Sequence, residues 1–509
     1  MQRGREWTPA GAGTTAALAW LLAAVSAGAS LMCMSVDPEA GRAAVLLDAL
    51  AADARPWLAR DPALLATKYD RMEGDLFYYM RGTAAVFYAD AARPDPDRAP
   101  TTFLAVPEAA AVLLVGDPHP ENFGTVLAGE GPGPETLAPG AAAPLTLEWV
   151  DLDGAEFGPY LLDVRRAALG IEAFASGIGG CTEACRTGAA EALARGYADE
   201  VARRAAGVPG WDAGVRRPGE GAFVARLWIR ATEDGVERHR LLRDAAPGPD
   251  GTNALVRAPA LDATGAGNLA LAPEERAQIA RLMAAYAVAA PPGFRVLDAV
   301  RRFGAGVASL PAVRYVVLWD RGGAGPEDDD LLNVREVIDP PVAAGLASPV
   351  PGLFASGAAR VVGAARLLWS RADADVRTAA LSDGVQTFKV TSWSSWFQEL
   401  DHVEAAALWA DGRAGEADLN ALGDTLGRAL AAAHAHARTA GGGAALGAIR
   451  AALAHGNEGA VDADGFAAER AAEAYDDLAR LVEDHALFVR LRAAHGPLLD
   501  AAAPREEAW

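Results

Sequence analysis

Cysteine is scarce in this chain: three residues in 509, Cys33, Cys181 and Cys185. Cys181 and Cys185 lie four apart, on one helix face or across a turn. A disulfide between them is therefore feasible, and an exported setting would favour it. With no further Cys or His nearby, the two cannot complete a tetrahedral metal set. Bases are also short, 46 Lys and Arg against 67 Asp and Glu, a formal charge of -21. That argues against nonspecific nucleic-acid binding, which needs clustered cations, but leaves room for a small basic pocket. After residue 33 no apolar run is long enough to read as a clear membrane span. No repeat of fixed period is present. What the chain does have is apolar residues, 51% by count. Much of this is Ala, which favours helices. The length suits about two to four domain-sized units with a large core.

The N-terminus has the order of an export signal. Arg3 and Arg5 give a positive start, Thr14 to Ala29 is an apolar core, and Ser26-Ala27-Gly28-Ala29-Ser30 supplies small residues. An uncleaved membrane anchor is the alternative, because the apolar run can extend to Cys33. Bulky Met32 argues against lipid attachment at Cys33. The expectation is an exported chain, periplasmic or membrane-anchored, and a cytoplasmic one only if the start is misassigned.

Two acidic motifs about thirty residues apart carry the chemistry. The first is Gly116-Asp117-Pro118-His119-Pro120-Glu121-Asn122-Phe123-Gly124, after the apolar run Ala111 to Val115. The second is Glu148-Trp149-Val150-Asp151-Leu152-Asp153-Gly154-Ala155, after Leu145 to Leu147. Acids just past the ends of two buried strands suit a metal or proton-transfer site. Phosphoryl transfer needs one carboxylate to orient a hydroxyl, with an amide and a second carboxylate to hold a divalent cation. The bland reading of the first motif is a tight turn, since Asp, Pro and Gly are ordinary turn residues.

Along the rest of the chain, residues 36 to 65, 160 to 206, 273 to 290, 402 to 440 and 464 to 497 read as helical. The region from 207 to 270 is mixed. Lys68 to Thr83 is rich in aromatics and charge, with Phe77, Tyr78 and Met80 as packing residues. Gly82 there would weaken a helix interior. Arg314 to Trp319 and Leu331 to Ile338 read as a hairpin joined by the acidic turn Asp320 to Asp330. After 355 the chain reads as helical, interrupted by the apolar-aromatic stretch Thr387-Phe388-Lys389-Val390 and by Trp393, Trp396 and Phe397. Of His434 and His436, the first reads as a helix-surface residue and the second as a core one.

These residues resemble a bacterial family catalogued as domain of unknown function 2252, over most of residues 65 to 490. The resemblance rests on Arg81-Gly82-Thr83, the Gly116 motif, Asp151 to Arg166, Gly304 to Ile338 and Ala435-His436-Ala437-Arg438. Two pieces also resemble the aminoglycoside-phosphotransferase branch of the protein-kinase-like fold, whose catalytic loop reads G-D-x-H-x-x-N. Gly116, Asp117, His119 and Asn122 fit it. Val150-Asp151-Leu152, Ala155, Gly158 and Asp163 fit the later I-D-[FW]-x-x-A and G-x-x-x-x-D. The resemblance implies Asp117 as catalytic base, with His119 fixing the loop beside it. Asn122 and Asp151 would hold magnesium, Asp153 would be an alternative ligand, and Asp163 would brace the loop. The counterparts of the nucleotide loop and strand lysine, Gly306 and Ser309 with Arg335, come after the catalytic loop rather than before it.

The expected fold is therefore α+β and two-lobed, a circularly permuted kinase-like arrangement. Its parts would be a signal or anchor (1–35), the first part of a helical catalytic lobe (36–290), a small β-containing lobe (291–400) and completing helices (401–509). Permutation is feasible where termini lie close on the surface. The expected function is ATP- and magnesium-dependent phosphoryl transfer to a small-molecule or protein acceptor, with no nucleic-acid partner and with membrane attachment only through the N-terminus. Three departures bear on it. Ala308 adds a methyl and Pro311 lacks an N–H where the family resembles G-V-G-S-V-G. Arg335 stands where the family has Lys, a planar fork for a point charge. An inactive, exported kinase-like binding protein is the second reading. A metal-dependent hydrolase using Asp117, His119, Asp151 and Asp153 is the third.

Overall fold

A computed structural model of the chain describes residues 38–92, 112–129, 145–214, 219–232, 243–248, 251–288, 290, 293–322, 329–340, 354–371, 374–393, 396–437, 445–454 and 460–500. The signal or anchor segment, Cys33, most of the loop to Pro144, and Arg438 lie outside these residues. Among the described residues no helix is long and apolar enough to cross a membrane.

The fold is α+β, and helices dominate. The chain begins with α1 (Pro38–Leu58), α2 (Pro62–Gly74), α3 (Leu76–Gly82) and α4 (Ala84–Ala91). Strands β1 (Val112–Leu113), β2 (Phe123–Leu127), β3 (Leu145–Trp149) and β4 (Phe157–Gly158) follow. Next come α5 (Tyr160–Ser176), α6 (Glu183–Ala205), α7 (Gly221–Thr232), β5 (Ala245–Pro247), β6 (Asn253–Leu255) and β7 (Gly267–Leu269). Then α8 (Pro273–Tyr286) leads to β8 (Arg295–Phe303), β9 (Arg314–Asp320) and β10 (Asp330–Val337). The chain closes with α9 (Gly357–Leu368), β11 (Ala379–Ser382), β12 (Thr387–Ser392), β13 (Gln398–Glu399), α10 (His402–Ala410), α11 (Glu416–His436), α12 (Ala445–Leu453) and α13 (Ala463–His495).

Several expected helices are divided, each for a local reason. The one expected over 36 to 65 stops at Leu58. A new helix opens at Pro62, where Pro is well suited to the first turn, and the Asp61 carboxylate accepts from Leu64 N at 3.0 Å. The helical body is packed through small residues. On α11, Leu419, Leu422, Leu426 and Leu430 recur on one face, all buried. Gly423 and Gly427 beside them let α6 approach so closely that a Cβ on Gly427 would lie 1.9 Å from Leu193 O. Cys181 and Cys185 are joined by a disulfide across the first turn of α6, Cα atoms 5.5 Å apart.

The larger sheet runs β11-β12-β10-β9-β8-β7, antiparallel throughout. The β9–β10 hairpin is present as expected, with Asp330 opposite Trp319 and Arg335 opposite Arg314. Strand alternation sends Tyr315, Val317, Trp319, Leu332, Val334, Phe388 and Val390 to one face. There they pack on Ile279, Leu282, Met283 and Tyr286 of α8. Arg314, Arg335 and Lys389 go to the other. Thr387 to Val390, read as an interruption among helices, is instead part of β12 in this sheet. Its alternating pair Phe388 and Val390 was too short a pattern to separate from its helical surroundings.

The glycine contact between α6 and α11 predicts a stability pair. Gly427→Ala forces backbone apart and should cost about 1–3 kcal/mol. Gly447→Ala, with nothing within 4 Å of the new methyl, should stabilise by about 0.5–1 kcal/mol. Urea denaturation of both variants measures this, and equal stability of Gly427→Ala and wild type would contradict the packing.

Candidate functional site

Strand pairing brings the two acidic motifs together. Val112 lies opposite Gly158 and Leu113 opposite Phe157, so the first motif leaves and the second enters one short ladder. Gly116 then sits at φ +92°, and a Cβ there would come 1.9 Å from Gly154 O. Only glycine permits that backbone shape at that approach. The loop is pinned from beneath by Asp163, fully buried in the first turn of α5. Its carboxylate accepts from Val115 N at 2.7 Å and Gly116 N at 3.0 Å. His434 Nε2 lies 3.0 Å from the same carboxylate, and His434 Nδ1 lies 2.8 Å from the Tyr197 hydroxyl. His434 is thus a core residue and His436 is exposed, the reverse of the expectation. The reason is register: His434 stands four residues after Leu430, on the inward stripe of α11.

Beyond the pin, each polar side chain is held. Asp117 accepts from Arg166 Nε at 2.8 Å. Burial pushes the Asp117 carboxyl up, and Arg166 opposes this. Asn122 lies in a 3-10 turn and donates its amide N–H to Asp117 O at 2.9 Å, while Val150 N donates to Asn122 O. His119 is buried beneath the loop, edge-on to Phe77, with Nε2 3.7 Å from Asp117 and no hydrogen-bond partner at Nδ1. Burial, with Arg81 and Arg166 nearby, holds its pKa well below the usual histidine range, so it is neutral. In the second motif Asp151 meets Arg335 Nη2 at 2.7 Å and Lys389 Nζ at 3.6 Å. Asp153 meets the same two at 2.5 and 2.8 Å. Burial works to raise Asp151, but Arg335 and Lys389 outweigh it and hold the carboxyl well below the carboxylate range.

All this surrounds one cleft of about 540 Å³. Asp117, His119, Asn122 and Asp151 line it from the helical side, and Gly306, Ser309 and Arg335 from the sheet side. Asp153 lies behind the lining, bound to Arg335 and Lys389. Ala308 is exposed to the cleft, whereas Pro311 is buried outside its lining, so its missing N–H does not face the cleft.

Several residues here escaped the sequence reading. Arg71 props the glycine turn, donating to Gly304 O and Gly306 O at 3.0 Å each. Arg81, unassigned before, pairs with Glu121, which His402 also holds. Arg360 donates to Asp153 O at 2.9 Å and to Ala155 O at 2.5 Å, locking the second motif. Lys389 carried one signal that could have found it. Of 46 cationic side chains, only Lys68 and Lys389 are lysines.

The family described as "Uncharacterized protein conserved in bacteria (DUF2252)" matches residues 60–491. No curated protein and no solved structure matches the chain.

Glu148, buried at the start of the second motif and hydrogen-bonded by Ser370 N at 3.1 Å, gives a pH prediction. Burial raises its carboxyl from 4.5 to about 7. Between those values the unfolded chain loses its proton first, so this group's contribution is full below pH 4.5 and fades as pH rises through 7. Glu148→Gln should therefore leave stability near pH 4 unchanged and raise it at pH 8 by on the order of 1–3 kcal/mol. Thermal denaturation at both pH values checks the sign.

Proposed function

The chain belongs to the bacterial DUF2252 family, and we propose that it is a kinase-like phosphotransferase using ATP and magnesium. One observation carries this reading. Asp117, Asn122, Asp151 and Arg335, spread over more than two hundred residues, line a single cleft. The loop that presents Asp117 is fixed by Asp163 through its backbone, as the resemblance requires of that residue. The cleft joins a catalytic loop to a sheet that follows it in sequence, which favours a permuted arrangement.

Each residue has a definable task under this reading. Asp117 accepts the proton of an acceptor hydroxyl; Arg166 orients its carboxylate and opposes the upward push of burial on its pKa. His119, buried and neutral, supports the loop and carries no charge. The metal donors are hard oxygens, which suit magnesium. Asn122 has committed its amide nitrogen to Asp117 O, leaving Oδ1 as its ligand atom, and Asp151 supplies a carboxylate. Bound magnesium would neutralise charge on the phosphoryl group in transfer. Arg335 and Lys389 add fixed positive charge on the opposite wall.

A second reading is an inactive binding protein with the same cleft. It is favoured by the hold of Arg335 and Lys389 on Asp151, which competes with any cation for that carboxylate. The readings part on binding and turnover. With ATP and magnesium at millimolar levels, the full chain should gain thermal stability, and Asp151→Ala should abolish the gain. Asp117→Asn should keep the gain and lose phosphoryl transfer by about 100-fold or more. Absence of any thermal shift in the wild type would favour the inactive reading.

A further inference from the structure

Cations cross the cleft face of the larger sheet in a single row. Arg314 on β9 is opposite Arg335 on β10, and Arg335 is opposite Lys389 on β12. The β8–β9 register runs to Arg301 opposite Tyr315, which places Arg302 next in line beside Arg314. All four line the cleft. Like charges opposite one another on adjacent strands destabilise a sheet, so each member of such a row calls for a counter-charge.

The row is only half neutralised. Arg335 and Lys389 have Asp151 and Asp153. Arg302 and Arg314 have no carboxylate within ion-pair distance among the described residues. The acid facing Arg302, Asp244, is taken by Arg243 and by Trp393 Nε1 at 2.9 Å. Arg302 lies over the Trp393 ring at 4.7 Å, and its Nε has no hydrogen-bond partner. Arg314 is crowded by Arg335 on one side and Arg302 on the other. Burial and Arg335 push it down to about 9, still charged at neutral pH. Immediately after Arg302 and Phe303 comes the turn Gly304 to Ser309, which lines the same cleft.

We infer that Arg302 and Arg314 seat a phosphate group of a ligand, at the end of the cation row away from Asp151. Two guanidinium forks one strand apart match an oxyanion of more than one charge better than a single carboxylate. The seat rests on the phosphotransferase reading only for the source of that phosphate, either the nucleotide or a phosphorylated acceptor. The Arg335 and Lys389 pair, already committed to acids, is not required for it.

Inorganic pyrophosphate with EDTA tests the seat without any metal or transfer step. Titration calorimetry on the full chain, in buffer free of phosphate and sulfate, should show binding that weakens at least tenfold in Arg302→Gln and in Arg314→Gln. Arg295→Gln, which removes a surface pair with Asp320, should bind as wild type does. Arg314→Gln should melt no lower than wild type before ligand is added, because it relieves the crowding. A parallel loss of magnesium-ATP affinity in both variants assigns the seat to the nucleotide. Unchanged magnesium-ATP affinity, with pyrophosphate still binding the ATP-saturated wild type, assigns it to an acceptor. No pyrophosphate binding to wild type, or binding by both variants as tight as wild type, overturns the inference. Failure of the phosphotransferase reading is seen separately, as pyrophosphate binding retained without magnesium-ATP binding.

Discussion

The carboxylate of Asp163 is the constraint on which the cleft depends. A fully buried charge is tolerated only when its lone pairs are filled, and here two backbone N–H groups and His434 fill them. Hydrogen bonds to a charged acceptor contribute about 1.5–3 kcal/mol each, and stripping partners from a buried ion costs more. The bonds are also directional. They fix the peptide units of Val115 and Gly116, and Asp117 is the next residue. Tyr197 on α6 and His434 on α11 complete the chain of contacts. Three helices of the body therefore agree on where the partly buried Asp117 carboxylate stands, and Gly116 against Gly154 carries that placement to the second motif.

The sheet is fixed to that body by charge rather than by apolar packing alone. Arg335 reaches two carboxylates of the second motif, and Arg360 grips the same segment through its carbonyls. Removing either acid would leave Arg335 buried beside Arg314 with less compensation, so the tie is strong because its parts are costly to separate. The same economy explains the polarity of the cleft. The helical wall carries the acids Asp117, Glu121 and Asp151 beside Arg71 and Arg81, the strand wall carries the row of cations, and the two walls meet at Asp151. At the other end of the row the cations run on past the acids.

Local chemistry was legible in the sequence, and long-range register was not. Asp117, Asn122 and Asp151 were visible because they lie in short motifs just past apolar, strand-like runs, and Asp163 only through the resemblance that its spacing after Gly158 carries. The β9–β10 hairpin was visible because two short apolar runs, Tyr315 to Trp319 and Leu331 to Ile338, flank the acidic, Gly-rich turn Asp320 to Asp330. His434 was misplaced because its partner, Asp163, is 271 residues away; local pattern only says that two histidines two apart take different faces, not which face is inward. Lys389 was passed over for the same reason. Nothing within β12 announces that its neighbour across the sheet is Arg335.

Lys389 also changes the meaning of the arginine at 335. Judged alone, Arg in a lysine position looks like loss of function, because a flat fork cannot act as a compact charge. In the sheet the two side chains are cross-strand neighbours and divide the work. Arg335 sets its fork between Asp151 and Asp153, and Lys389 places an ammonium 2.8 Å from Asp153 and 3.6 Å from Asp151. A chain that uses Arg for all but two of its 46 cations has kept lysine where space is tight. Lys68 is fully buried against Asp53 and Lys389 is nearly so. A guanidinium at 389 would need room for a broader planar head between β10 and β11, against acids that Arg335 already occupies. The departure at 335 is thus local to one strand, because the compact positive charge stands on the strand beside it.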